Sequence, residues 1–108
     1  MSAIIVITTT ETQDEAKQIA RGLIEERLAA CVQIAGPITS IYRWEGAVAE
    51  AAEYLCLVKT RADLYDQVEA AIRDRHSYDL PEIIALPVER GSEAYLDWLA
   101  RCCMRGGQ

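Results

Sequence analysis

His76 is the only histidine in the chain, and its type most directly suggests acid–base chemistry or metal binding. It follows a helical sequence pattern and lies close to Asp74 and Asp79, so one interpretation is a general base. The alternative is a solvated histidine at the C-terminus of a helix, where an imidazolium ion is favoured. No nucleophile-elbow motif accompanies it. The sequence therefore gives catalysis little support, and we predict that the protein is not an enzyme.

Residues near His76 supply few further metal ligands. Structural zinc requires four protein ligands and catalytic zinc about three. His76 with Asp79 or Glu82 gives at most a pair. An acidic segment from Glu50 to Glu53 could also bind cations, although a run of charges is usually a solvated face. These residues alone do not predict a tight metal site.

The four cysteines form no recognisable metal or redox motif, because no C-x-x-C is present. Cys31 and Cys56 lie within apolar, strand-like runs, where a thiol behaves as a small hydrophobic side chain. Cys102, Cys103 and Met104 offer soft sulfur ligands, but no spacing brings them near the histidine. We interpret the first two cysteines as core residues and the adjacent pair as incidental.

Tyr42 and Trp44 are two residues apart in a strand-like run, so both side chains are expected on one face of a strand. Large amphipathic aromatic residues suit a buried interface in which their polar ends find hydrogen bonds. One interpretation is an ordinary aromatic pair in the core of the monomer. The interpretation that we favour is a cleft between subunits, lined by Tyr42, Trp44, Lys59 and Glu82.

The chain of 108 residues fits one domain, which we assign to residues 1–104, followed by a flexible tail at 105–108. With 11 Lys and Arg against 17 Asp and Glu, the net charge is −6. An acidic surface repels phosphate backbones, so no nucleic-acid partner is expected. No uninterrupted apolar run is longer than the five residues of 3–7, and the N-terminus lacks a secretion signal. We therefore expect a cytoplasmic protein that does not bind membranes.

Hydrophobic periodicity and turn residues predict four strands and three helices. The first half of the chain is predicted to form a strand at 3–9, a helix after a capping box at 12–15, and a long strand at 30–44 that is bent at Gly36-Pro37. A turn at Glu45-Gly46 leads to a strand at 53–59 and a helix at 64–75. A loop at 76–81, a strand at 82–88 and a helix after Ser92 complete the order. The Ala- and Glu-rich stretch before the strand at 53–59 is interpreted as a tolerant connection. This order is α+β, a ferredoxin-like βαββαβ antiparallel sheet with an extra C-terminal helix.

Two helices can cover only one face of such a sheet, whereas the predicted strands are apolar on both faces. The last helix is about three turns long and is too short to hide the remaining face. Another copy of the sheet is the simplest cover. We therefore predict a homo-oligomer.

Three functions known for this topology lack their residues. The loop at 8–12 holds neither the cysteine pair of a copper chaperone nor the arginine of an acylphosphatase-like phosphate cradle. The chain also contains no Asn to position an attacking water. The first strand has no aromatic residue for an RNA-recognition surface.

Five segments carry a family resemblance: Ala29-Ala30-Cys31, Ser40 to Gly46, Val58-Lys59-Thr60, His76 to Pro87, and Tyr95 to Trp98. With these segments in order, from about Ile4 to Trp98, the chain resembles the CutA divalent-ion tolerance family. The resemblance implies a ferredoxin-like subunit in a tight homotrimer, similar in architecture to PII-type signalling proteins. It also implies a role in tolerance of copper and other divalent cations, with no established catalytic activity.

The same resemblance implies where this chain departs from metal-binding relatives. Family members with a proposed metal site use a histidine that His76 resembles, a cysteine just after the first strand and a second, adjacent histidine. This chain has Thr8 and Arg75 at those positions, and Ser77 where a proline is usual. Through His76 we therefore expect weak binding of Cu(II) or another divalent cation at most, and no required cofactor.

Three functional hypotheses remain. The first is a non-enzymatic homotrimer that takes part in the response to divalent metal ions. The alternative is a PII-like trimeric signalling protein that binds a small anionic ligand in its intersubunit clefts, with positive charges from Lys59, Arg43 and Arg75. An enzyme that uses His76 as its base is the least favoured.

Overall fold

The structure, a computed structural model, describes residues 2–103, so the predicted tail at 105–108 and Met104 lie outside the described residues. Its elements in chain order are β1 (Ala3–Thr10), α1 (Gln13–Glu25), β2 (Cys31–Trp44), β3 (Ala47–Arg61), a 3₁₀ turn (Ala62–Leu64), α2 (Tyr65–Arg75), β4 (Ile84–Pro87) and α3 (Glu93–Cys102). The strands form one antiparallel sheet in the order β2-β3-β1-β4. The predicted α+β class and the antiparallel sheet are confirmed.

An apolar layer lies between the helices α1 and α2 and one face of the sheet. Its fully buried side chains are Ile19 and Leu23 from α1, Val68 and Ile72 from α2, Val6 from β1 and Val58 from β3. The two residues from each helix are four positions apart, so they lie on one helix face. Burial of each such side chain contributes about 1.5 to 3 kcal/mol. This layer fixes the helices against the two central strands.

The helix α1 begins at the predicted capping residue. The Thr12 hydroxyl accepts a hydrogen bond from the Glu15 amide at 3.1 Å, which satisfies one of the free N–H groups of the first turn. The Glu15 side chain does not complete a capping box. Its two carboxylate oxygens instead accept from the amide of Ser77 at 2.6 Å and from the hydroxyl of Ser77 at 3.1 Å. The first turn of α1 is thus tied to the loop after α2.

The strand β2 is one continuous strand with an irregularity, as predicted. Its register against β3 shifts between Ala35 and Ile38, where Gly36-Pro37 interrupts the ladder. A Cβ atom at Gly36 would lie 2.7 Å from Cδ2 of Tyr54. Only glycine allows the two strands to approach so closely at this point.

The strand β3 is longer than predicted. It begins at Ala47, directly after a turn at Glu45 and Gly46 whose φ angles of 49° and 80° are typical of a two-residue hairpin connection. The stretch 47–52, interpreted as a tolerant connection, is therefore strand, and it pairs with residues 39–44 of β2. Cross-strand pairing outweighs the low β propensity of Ala and Glu here. By contrast, β4 is shorter than predicted, at Ile84–Pro87.

One face of the sheet lies opposite the face that packs against α1 and α2. It carries Ile5, Ile7, Leu55, Leu57, Ile84 and Leu86, and we call it the open face. Ile84 and Leu86 are each 50% exposed, and the other four are half-buried. The first strand is therefore covered on one face only within this chain.

The helices that the structure describes between residues 2 and 103 are all too short or too polar to cross a membrane.

Candidate functional site

A cleft of about 700 Å³ lies between the β2–β3 hairpin and the loop that follows α2. We call it the hairpin cleft. Its lining includes Tyr42 and Trp44 from β2, Glu53 from β3, and Tyr78, Asp79 and Glu82 from the loop. Its volume falls within the range of small-molecule sites.

Three of the four residues predicted to line a cleft are brought together here, namely Tyr42, Trp44 and Glu82. Tyr42 is 44% exposed and Trp44 is 50% exposed, so they do not form an aromatic pair in the core of this chain. Lys59 does not line the hairpin cleft. It lies opposite Ile5 on the sheet, and its ammonium group is 5.5 Å from the centre of the Tyr95 ring on α3. That the hairpin cleft lies between two subunits stays a prediction.

Glu53, interpreted as part of a solvated acidic run, is only 8% exposed. The Tyr78 hydroxyl donates a hydrogen bond to Oε2 of Glu53 at 2.9 Å. Burial, together with the neighbouring Glu53 carboxylate, raises the pKa of the Tyr78 phenol, which therefore keeps its proton and its donor role. The sequence holds one signal for Glu53, because it alternates in phase with Leu55 and Leu57 on β3.

His76 has both ring nitrogens in hydrogen bonds, and its side chain is fully buried. The Tyr78 amide donates to Nδ1 at 3.1 Å, and Nε2 lies 2.7 Å from the carbonyl oxygen of Thr9. An amide N–H can only donate, so Nδ1 carries no proton and Nε2–H donates to Thr9. The histidine is therefore not solvated. A metal ion could bind either nitrogen only by replacing one of these bonds.

The loop that carries His76 is anchored by α1. Both oxygens of Glu15 bind Ser77, and Oε2 of Glu15 lies 3.8 Å from Nδ1 of His76. Within residues 2–103, no three His, Cys, Asp or Glu side chains are grouped so that they could hold a metal ion. The metal site at His76 stays a prediction.

The three basic residues of the anion hypothesis do not converge within one chain. Arg43 lies opposite Val48 near the hairpin tip. Lys59 is 11 residues further along β3 than Val48, a separation of roughly 36 Å at about 3.3 Å per residue. Nη2 of Arg75 lies 2.6 Å from Oε2 of Glu26, so its charge is already paired.

Comparison with known proteins identifies the family. A model of the CutA1 divalent ion tolerance protein matches residues 4–102. The chain belongs to the CutA1 family. The resemblance that the sequence motifs carry is confirmed.

Among the CutA relatives, the divalent-cation tolerance protein CutA of Thermus thermophilus is 46% identical over 95 residues, which are 88% of this chain and 92% of the relative. Its solved structure superimposes with a TM-score of 0.90 at 44% identity, covering 92% of this chain and 96% of that one. The solved structure of the periplasmic divalent cation tolerance protein CutA from Archaeoglobus fulgidus gives a TM-score of 0.92 at 38% identity, covering 94% of this chain and 99% of that one.

The chloroplastic protein CutA of Arabidopsis thaliana is 41% identical over 97 residues, which are 90% of this chain and 53% of that protein. The chain therefore spans about half the length of this plant relative. CutA proteins thus carry names that place them in a chloroplast or a periplasm. The cytoplasmic location expected for this chain stays a prediction.

The structure shows the surroundings of both positions expected to depart from metal-binding CutA relatives. Thr8 is fully buried, and its hydroxyl has no hydrogen-bond partner among the described residues. Arg75 pairs with Glu26 and packs over Gly22 on α1, where a Cβ atom would lie 2.5 Å from Nε of Arg75. The glycine inside α1 therefore makes room for this arginine between the two helices.

The cysteines of this chain differ in burial. Cys56 is fully buried, as predicted, and burial raises the pKa of its thiol to about 11, with a smaller contribution from the charge of Glu15. Cys103 is also fully buried, and its sulfur lies 3.7 Å from the hydroxyl of Thr60. Cys31, interpreted from the sequence as a core residue, is only half-buried, as is Cys102, and all four are free thiols. The terminal pair is therefore not incidental, because Cys103 belongs to the core.

Proposed function

We propose that this chain is a non-enzymatic, homotrimeric divalent-cation tolerance protein that binds Cu(II) weakly at most. Membership of a family named for tolerance supports the role in the response to metal ions. The partners that we propose are two further copies of the chain and divalent metal ions. No cofactor is required in this proposal.

The observation that carries the assembly is the open face. Six aliphatic side chains lie together on one side of the sheet, and two of them are 50% exposed. Burial of apolar surface is favourable by about 25 cal/mol per Å². A contiguous apolar patch on a sheet typically marks an interface with another protein. Copies of the same chain meeting through this face would bury it.

The weakness of copper binding follows from the state of His76. Imidazole is a suitable ligand for Cu(II), but both ring nitrogens already have partners. A copper ion must therefore compete with a backbone hydrogen bond. The family resemblance implies a second histidine ligand at the position of Arg75, whose charge is paired with Glu26. We retain the anion-sensing alternative only as an outcome of the experiment below.

Native mass spectrometry of the full chain tests the assembly. We expect a species with three times the 12.0 kDa chain mass. Ile84→Glu places a charge on the open face and should yield monomer. Ile24→Glu is the matched control, because Ile24 is 41% exposed on α1 and lies outside the open face. A monomeric wild type, or an Ile84→Glu trimer as stable as the control, would contradict the proposed interface.

The same measurement with a few equivalents of Cu(II) tests the metal response. We expect partial occupancy that falls in His76→Ala and persists in Cys102→Ser, which separates imidazole from thiol binding. A trimer that binds no copper, but gains thermal stability from small anions, would favour the signalling alternative. Full occupancy that survives His76→Ala would show that the site lies elsewhere.

A further inference from the structure

Glu53 is a buried acidic side chain without a basic partner. It is 8% exposed, and no Lys, Arg or His in the described part of the chain forms an ion pair with it. Oε2 accepts from Tyr78, whereas Oε1 accepts no hydrogen bond from any described residue. Burying a carboxylate without a compensating cation is costly. A positively charged ligand in the hairpin cleft would offset that cost.

Three aromatic side chains line the hairpin cleft together with Glu53. Tyr42 and Trp44 line the β2 side, and Tyr78 lines the loop side. The faces of Trp and Tyr rings attract organic cations as well as apolar groups. Within a single chain, Tyr42 is 44% exposed, so its ring is open to a ligand there.

The charge of the lining excludes an anion as the preferred ligand. Asp79 and Glu82 add two carboxylates to that of Glu53, and no Lys or Arg is among the described lining residues. A bare divalent ion is also disfavoured, because such an ion needs a close set of oxygen ligands, and no group of three is present in residues 2–103. The cleft, at about 700 Å³, is far larger than a metal ion requires.

We propose that the hairpin cleft binds a small organic ammonium ion. Its charged nitrogen lies against the Glu53 carboxylate, and its apolar part packs against the Tyr42 ring. This binding activity is distinct from the proposed metal response, because His76 is not among the described residues that line the cleft. It is also opposite in charge preference to the anion-sensing alternative.

Three probes of similar shape and different charge test the proposal on the full chain. These are benzylammonium, benzyl alcohol and benzoate, titrated at neutral pH and followed by isothermal calorimetry or ligand-observed NMR. We expect benzylammonium to bind at least about tenfold more tightly than benzyl alcohol, with benzoate weakest. Equal binding of benzylammonium and benzyl alcohol would contradict the proposal, because the cleft would then recognise only the apolar ring. Tightest binding of benzoate would overturn the proposal in favour of anion recognition.

Matched variants test whether the Glu53 carboxylate is the group that binds the ammonium ion. Glu53→Gln should weaken benzylammonium binding about tenfold and leave benzyl alcohol unchanged. Glu50→Gln makes the same change three residues earlier on β3, outside the described lining of the cleft, and should have no effect. Asp79 is exposed on the loop, so Asp79→Asn tests the role of negative charge even if Glu53→Gln fails to fold. We expect Asp79→Asn to weaken benzylammonium binding about two- to threefold.

Two outcomes separate this proposal from the proposed function. A trimer that binds none of the three probes contradicts the cleft proposal and leaves the assembly standing, as it would if a neighbouring copy filled the cleft. A monomer that binds benzylammonium selectively contradicts the assembly and supports the cleft. Equal losses in Glu53→Gln and Glu50→Gln would show that long-range charge, and not Glu53, sets the affinity.

Discussion

The Tyr78 hydroxyl donates a hydrogen bond to Glu53 at 2.9 Å, across 25 positions in the chain. Through its amide, the same tyrosine donates to Nδ1 of His76 at 3.1 Å. Tyr78 therefore joins the β3 wall of the hairpin cleft to the loop wall and also sets the tautomer of the histidine. His76 acts in this arrangement by positioning the loop, because its other nitrogen binds the carbonyl of Thr9.

Tyr78→Phe should destabilise the protein by about 1 to 3 kcal/mol, because the buried Glu53 carboxylate loses its hydrogen-bond donor. Urea unfolding followed by circular dichroism measures the change. Tyr65→Phe is the matched control, since Tyr65 also bonds a glutamate, Glu69, but in a more solvated position. We expect less than about 0.5 kcal/mol for the control. Equal losses in the two variants would mean that burial of Glu53 has no energetic consequence.

Glu15→Ala should free the loop after α2, because both carboxylate oxygens of Glu15 bind Ser77. The amide of Ser77 should exchange its hydrogen at least about tenfold faster, as measured by hydrogen-exchange NMR. Thr12→Ala is the control. It removes the cap of α1 at a cost of about 1 kcal/mol but leaves the Glu15–Ser77 bonds in place. Unchanged exchange at Ser77 in Glu15→Ala would show that other contacts hold the loop.

Alkaline pH should destabilise the fold through Cys56. The pKa of its thiol is raised from 9.0 to about 11 by burial, so folding favours the neutral thiol. Its contribution to stability is complete below pH 9 and is lost as the pH rises through about 11. Tyr78 and Cys103, whose pKa values are also raised by burial, act in the same direction. Urea midpoints between pH 8 and 11 should therefore fall less steeply for Cys56→Ala than for wild type. Parallel pH profiles would contradict this assignment.

Local chemistry explains which parts of the fold the sequence could predict. The cap at Thr12 and the bend at Gly36-Pro37 depend on neighbours within a few residues, and both are confirmed. The strand at 47–52 depends on pairing with residues 39–44 across the hairpin. Ala and Glu carry no such information themselves, because β propensity reflects cross-strand context.

The residues of the hairpin cleft also divide into those that local sequence predicts and those that depend on distant contacts. Tyr42 and Trp44 were predictable because alternation alone puts both on one strand face. Glu53 was not singled out, because its burial depends on Tyr78 reaching it from a loop 25 positions away. Lys59 shares the strand face of Glu53 but lies six residues further along β3, about 20 Å away, so it does not line the hairpin cleft.

The two buried threonines Thr8 and Thr60 provide a last, paired prediction. Both are fully buried. The Thr60 hydroxyl donates to the carbonyl oxygen of Leu28 at 2.6 Å, whereas the Thr8 hydroxyl has no partner in residues 2–103. Thr→Val replaces the hydroxyl with a methyl group of similar size. At Thr60 it should cost about 1 to 2 kcal/mol, since a carbonyl loses its donor.

At Thr8 the same substitution should be neutral or stabilising by up to about 1 kcal/mol, because a buried hydroxyl without a partner loses hydration and gains nothing in return. Urea unfolding of both variants at one protein concentration makes the comparison, since any assembly adds to apparent stability. Each variant thus serves as the control for the other. A loss at Thr8 as large as that at Thr60 would mean that the Thr8 hydroxyl does have a partner, such as an ordered water, and that its burial is compensated.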